Sequence, residues 1–373
     1  MKQYDVAAYV WPAYTGDEPR TRIFWPEGMG EWETVRDAKA KYEGHQWPRK
    51  PLWGYVNEAD PAVMEMEIEQ ATKHGVNVFI YDWYWYDRRP FLEGCLNDGF
   101  LKASNNNKMK FMLMWANHDA NYLWDRRLAS TDFKTTTLWS AKVNRQEFEY
   151  MANRLVDKYF GYENYYKIDG KPVFQIYDIA NFIAGFGNIE CAKEALMWFR
   201  DMVKSKGFPG VHLQFLVKGH KTMDLSGVDG SSVASYSDTV RTLGGDSITH
   251  YQFGHMTNNA GDYLEVLERV SEVYKKVDME YNIPYMPHVS IGWDNNPRCP
   301  ERFMPRITTN NGPENFEKGL RLAKEYVDTH NLPVPLVTIN SWNEWTETSY
   351  LQPDDIFGYG YLEAVKRVFV EEE

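Results

Sequence analysis

Two glutamates three residues apart, Glu344 and Glu347, lie in the segment Ser341-Trp342-Asn343-Glu344-Trp345-Thr346-Glu347. Two carboxyl groups flanking one bond can cleave a glycosidic linkage: one protonates the leaving oxygen, the other acts as base or nucleophile. The segment closes an apolar run, 336–345 (LVTINSWNEW), that reads as a strand. Period-two alternation turns Val337 and Ile339 to one face, and Thr338, Asn340, Trp342 and Glu344 to the other. On a straight strand Glu347 would face away from Glu344, whereas a turn near Trp345 brings both to one cleft. An isolated ExxE is usually a surface feature. The flanking Trp342, Asn343 and Trp345 favour the catalytic reading.

The elements that must position this pair follow from an alternation along the chain. Short β-rich runs occur at 5–12, 76–85, 109–117, 171–178, 212–218, 231–237, 285–294 and 336–345. Segments of helical period lie between most of them, at 60–74, 146–159, 188–206, 261–279 and 313–330, with a last one at 359–371. Asp60-Pro61 is an N-cap followed by proline at the first helical position, and Gly75 stands at the C-cap. Eight strands alternating with helices predict an α/β chain, a single (β/α)₈ TIM barrel over residues 1–373. The stretch 219–230 is too short for an ordinary crossover helix. Residues 13–59 form a long elaborated loop after strand one, of the kind that is usually functional.

Active sites of such barrels sit at the C-terminal strand ends. Those ends are polar or aromatic here: Trp11, Asp82 with Trp83, Trp115 with Asn117 and His118, Tyr177 with Asp178, Tyr236 with Asp238, Trp293 with Asp294, and Asn343 with Glu344. Trp11, Tyr14, Asp82, Trp83, Trp115, Asn117, His118, Tyr177, His288, Asp294, Arg298, Asn343 and Tyr350 are the candidate substrate-binding residues. Asp294 reads equally as a second acid or hydroxyl acceptor and as an ion-pair partner of Arg298 or Arg302. His288 lies deeper, where a histidine is more often hydrogen-bonded core.

Composition narrows the partner. The chain has 373 residues, a net charge of −12, 14 Trp, 25 Tyr and 19 Phe. Amphipathic rings beside polar residues suit sugars, and the acidic balance argues against nucleic acid. The nine histidines and three cysteines show no metal-ligand spacing, so no metal is expected. No nucleotide-cradling glycine loop or GxSxG elbow occurs, and no cofactor is expected. No window reaches the roughly 18 apolar residues of a membrane span, and the start lacks a signal-peptide core. The chain reads as soluble, cytoplasmic as written and periplasmic or secreted if a signal was removed; oligomeric state is left open.

Residues 341–347 resemble the WNEWxE signature of glycoside hydrolase family 99, the endo-acting α-mannosidases and α-mannanases. The chain resembles still more closely the WbsX-like family, often described as lipopolysaccharide-biosynthesis glycosyltransferases. That resemblance spans most of the chain, through 30–49, 79–85, 115–125, 292–298 and 341–364. It implies a retaining hydrolase in which Glu347 is the acid/base. Glu344 would take the proton of the substrate's 2-hydroxyl, which attacks C1 to give a 1,2-anhydro sugar. The family-99 pattern continues with glycine where this chain has Thr348-Ser349-Tyr350, a departure that bears on subsite shape. The rivals are a glycosyltransferase of surface-polysaccharide synthesis, a non-catalytic glycan-binding protein, and a lyase using Arg298 or Lys218 against a uronate.

Overall fold

The computed structural model describes residues 3–219, 222–228 and 231–371. Its centre is eight parallel strands: β1 (Asp5–Val10), β2 (Val78–Tyr86), β3 (Lys110–Trp115), β4 (Lys171–Ile176), β5 (His212–Leu216), β6 (Ser247–Thr249), β7 (His288–Ser290) and β8 (Leu336–Asn340). β1 pairs with β2 and β8; the sheet continues through β3, β4, β5 and β6 on one side and to β7 on the other. A parallel bridge between Ile248 and Tyr285, just before β7, joins the two ends. The expected (β/α)₈ barrel is therefore the observed fold. Strands covered on both faces need apolar side chains on both, and all nine residues of β2 are buried.

Helices α1 (Pro61–Lys73), α2 (Arg145–Leu155), α3 (Ile179–Phe186), α4 (Ile189–Ser205), α5 (Tyr236–Thr242), α6 (Tyr263–Tyr281), α7 (Pro313–Thr329) and α8 (Gly360–Phe369) lie between or after the strands. The Asp60 side chain accepts from the Ala62 amide ahead of α1, and Gly75 at φ +92° follows its end. α7 buries Phe316, Leu320, Ala323 and Val327, one stripe at helical spacing. No helix among the described residues is long and apolar enough to cross a membrane.

Two expectations need correction. Residues 231–237 are not the sixth barrel strand: Ser231–Ser235 pairs antiparallel with Thr222–Val228 as a separate hairpin, and Tyr236 with Asp238 begins α5. The true sixth strand, β6, has a single apolar residue, Ile248, between Ser247 and Thr249, too little for an apolar run to register. Strand eight is also shorter than expected, ending at Asn340. Beyond it the alternation fails, and Trp342 turns outward, packing on Phe79 and donating to Glu67 of α1 (2.8 Å).

The segment 13–59 folds back over the C-terminal mouth. Its Phe24, Trp25, Trp32 and Val35 are buried. Gly30 adopts φ +62°, where a Cβ would lie 1.9 Å from the Ala13 carbonyl oxygen, and the next amide, of Glu31, donates to that carbonyl (2.9 Å). This close approach delivers Glu31 to the site.

Candidate active site

Glu344 and Glu347 occupy a tight hairpin beyond β8. Asn343–Glu344 pairs antiparallel with Ser349–Tyr350, the turn between is 3₁₀ over Trp345–Glu347, and Thr348 takes φ +54°. Ser341 Oγ accepts from the Glu344 amide and donates to the Ser349 carbonyl, both at 2.7 Å. The reversal carries Glu347 round to the side of Glu344, as a turn near Trp345 would require. Arg298, from the loop after β7, joins the pair. Its Nη1 lies 2.9 Å from Glu347 Oε1, its Nη2 3.2 Å from Glu344 Oε1 and 2.7 Å from Thr346 Oγ1, and its Nε 3.3 Å from Glu31 Oε1. Glu31 also accepts from Trp11 Nε1 (2.5 Å).

Glu344, Glu347 and Arg298 line a cavity of about 310 Å³. Trp11, Asp82, Tyr84, Trp124 and Tyr177 add rings and one acid, and His118, Asp119, Asn121, Asp178 and Lys218 make its polar far side. A second cavity shares Tyr177, Tyr251 and Glu347, and a third shares His118, Asp119, Asn121 and Asp178. One neighbouring hollow thus adjoins Glu347 and the other adjoins the polar far side of the cavity.

One guanidinium cannot neutralise Glu31, Glu344, Glu347 and Asp82. Burial, then the charge of Glu347, push Glu344 well above the usual carboxylate range against the pull of Arg298. Burial also raises Glu347, held back by Arg298. Asp82 is raised well above its usual value, chiefly by burial. Tyr251 Oη lies 2.8 Å from Glu344 Oε2 and 2.9 Å from Asp82 Oδ2. A phenol has one proton to donate, so a proton on either acid satisfies the second contact. Burial and the shortage of positive charge thus favour retention of a proton within the group of Glu344, Glu347 and Asp82.

Of the candidates from sequence, Trp11, Asp82, His118, Tyr177, Arg298, Glu344 and Glu347 meet at this cavity. The others are turned elsewhere. Trp83 and Trp115 lie one residue off the inward phase: Trp83 donates to Glu93 (2.8 Å) and Trp115 packs on Phe148 and Phe182 in the helical layer. Asn117 exchanges hydrogen bonds with the Asp178 backbone (2.7 and 2.8 Å). Asn343 ties the hairpin to β1, accepting from the Trp11 amide and donating to its carbonyl (2.8 and 2.9 Å). His288 faces inward as expected, but below the cavity between Thr338 and Ser290 (3.0 Å each), where burial holds it neutral. Asp294 takes neither Arg298 nor Arg302; it bonds His45 Nε2 (2.8 Å) and Asn296. Tyr14 packs on Trp32 with its hydroxyl 3.4 Å from Glu31. Tyr350 stacks on Trp345 and donates to Asp354 (2.6 Å).

Glu31, Tyr84, Trp124 and Tyr251 are site residues that strand-end reasoning missed. Tyr84 was legible, two residues beyond Asp82 on the same face. Trp124 and Glu31 stood inside blocks that carried the family resemblance, with no chemical signal of their own. Tyr251 follows β6, the strand without an apolar run in the sequence. Neither Lys218, paired with Asp178 (3.0 Å), nor Arg298 is left without a carboxylate partner. Among the described residues no group of three or more His, Cys, Asp and Glu is arranged to hold a metal ion.

The fold is a (β/α)₈ barrel, and comparison with solved structures agrees at that level. A protein described as glycoside hydrolase-like superposes with a TM-score of 0.64 at 15% identity, over 100% of this chain and 95% of that one. The GH99 endo-alpha-mannosidase from Bacteroides thetaiotaomicron superposes at 0.57 and 14% identity, over 98% and 96%. The chain itself belongs to the family described as Glycosyltransferase WbsX, which it matches over residues 6–365. An uncharacterized protein WxcX of Xanthomonas campestris pv. campestris is 26% identical over 352 residues, 94% of this chain and 47% of that one. The chain spans about half the length of the curated relatives it matches.

Proposed function

We propose that this chain is a retaining glycoside hydrolase acting on an oligosaccharide or polysaccharide, with Glu344 and Glu347 as its working acids. The observation that carries the reading is that both carboxyls line one water-accessible cavity and share one buried guanidinium. The hollows adjoining Glu347 and the cavity's polar far side leave room for more than one sugar unit.

In the first step Glu344 takes the proton of the 2-hydroxyl and O2 bonds to C1. The bond from C1 to the leaving oxygen breaks as Glu347 protonates that oxygen. Water then yields a proton to Glu347 while its oxygen bonds to C1; the C1–O2 bond opens and O2 recovers its proton from Glu344. Two inversions at C1 leave its configuration retained. The step needs the proton on Glu347 and Glu344 without one. A 2-hydroxyl donating to Glu344 lowers it, and a glycosidic oxygen accepting from Glu347 raises that acid, so bound substrate favours that arrangement. A manno- or rhamno-configured sugar, with its axial 2-hydroxyl, suits formation of the 1,2-anhydro sugar.

The description of the family favours a second reading, transfer to a sugar hydroxyl. One screen separates them: a panel of defined glycans, with and without nucleotide sugars, read for new reducing ends and for elongated products. Hydrolysis that falls about 10²–10⁴-fold in Glu344→Gln and Glu347→Gln supports the proposal. Elongation that requires the nucleotide sugar selects the transferase, unsaturated ultraviolet-absorbing products the lyase, and binding without turnover a glycan-binding protein. Hydrolysis surviving both substitutions refutes the assignment.

A further inference from the structure

Two glutamates that the mechanism does not use sit directly behind it. Glu58, from the long loop, and Glu67, on α1, are fully buried. Glu67 Oε2 accepts from Trp342 Nε1 (2.8 Å), and both Glu58 oxygens lie within 3.0 Å of Asn343 Nδ2. Gln352 spans the two, its Nε2 3.0 Å from Glu58 and 3.2 Å from Glu67, while its Oε1 accepts from Trp345 Nε1 (2.7 Å). Residues 342, 343 and 345, on either side of Glu344, thus hang from two carboxyl groups.

We infer that Glu58 and Glu67 are positioning residues, acting as one unit that sets the aim of Glu344 and Glu347 through Trp342, Asn343, Trp345 and Gln352. The catalytic part rests on the proposed function; the coupling does not. No lysine, arginine or histidine among the described residues forms an ion pair with either glutamate. The titratable groups facing them are Tyr14, Tyr81 and Cys95, with Glu18 acting on Cys95, all neutral or acidic. Two buried carboxylates without a cation repel each other, so the pair retains a proton. Burial and Glu67 lift Glu58 well above the usual range, and burial lifts Glu67 to about 7. The donated N–H groups let the pair carry one negative charge; a second would act on every residue hung from it.

The test follows the indole N–H resonances of Trp342 and Trp345 in the whole ¹⁵N-labelled chain between pH 5 and 9, assigned with Trp342→Phe and Trp345→Phe. Both indoles move with one shared midpoint near 7, and the step is absent in Glu67→Gln. Separate midpoints, or no movement of either, overturn the inference. On a substrate found by the glycan screen, Glu67→Leu lowers kcat about 10²-fold with KM unchanged, and Glu67→Gln restores kcat. Loss of thermal stability in Glu67→Leu with kcat intact reduces the pair to a structural part and overturns its positioning role. A failed glycan screen sinks the proposed function, while the indole titration still decides the coupling.

Discussion

Replacing Arg298 by methionine tests the electrostatic account of the site most directly. Arg298 is 3% exposed and touches Glu31, Glu344 and Glu347. Methionine fills most of its volume and removes the charge. Breaking a buried ion pair by deleting one partner costs about 3–5 kcal/mol, because a charge is left unmatched. At about 2.1 cal/mol/K of unfolding entropy per residue, a chain of this length loses about 4–6 °C of Tm for that cost. The sign of the pH dependence follows from linkage. Without Arg298, Glu344 and Glu347 rise still further above their values in the unfolded chain. A carboxyl whose folded value is raised imposes no penalty below the unfolded value, about 4.3. Stability is lost as pH climbs from there through the folded value. Scanning calorimetry on wild type and Arg298→Met should therefore give curves that nearly coincide at pH 4.5–5 and separate by the full amount at pH 8. Arg298→Lys, which keeps the charge and loses the fork, should fall between. An equal Tm deficit at both pH values would mean that packing, not charge, makes Arg298 matter, and the protonation scheme would fall with it.

Other perturbations probe separate parts of the structure. Tyr251→Phe removes the hydroxyl between Asp82 and Glu344; hydrolysis should drop about tenfold or more, with the pH profile of kcat displaced, and an unchanged profile would count against the shared proton. Trp115→Phe should cost about 1–3 kcal/mol in denaturant unfolding and leave kcat/KM as it was, because the ring packs beneath the helices; a selective loss of activity would return it to the site. Gly30→Ala should destabilise by more than about 3 kcal/mol or abolish soluble expression, since its Cβ would meet the Ala13 carbonyl; a normal melting curve would show that the loop can rearrange.

Much of this protein was legible in its sequence. The barrel followed from alternation, because a strand covered on both faces must be apolar along its length and a helix must show one stripe. The pairing of Glu344 with Glu347 was legible as a condition, that the chain turn near Trp345, and the 3₁₀ hairpin meets it. Phase was less secure. Trp83 and Trp115 lie one residue off the inward phase and Trp342 faces outward, because aromatic residues signal burial equally well on either side of a strand. β6 carries one apolar residue between two polar ones and shows no apolar run, which hides Tyr251.

The tertiary structure alone decided where the charges go. That Arg298 serves three glutamates, that Asp294 belongs to His45, and that Glu31 arrives from more than 300 residues before Glu344 are contacts between distant parts of the chain. Their partners depend on how the loops fold over the barrel mouth. Local sequence encodes propensity and periodicity; the protonation of a buried acid depends on what surrounds it in space, and no spacing along the chain records that.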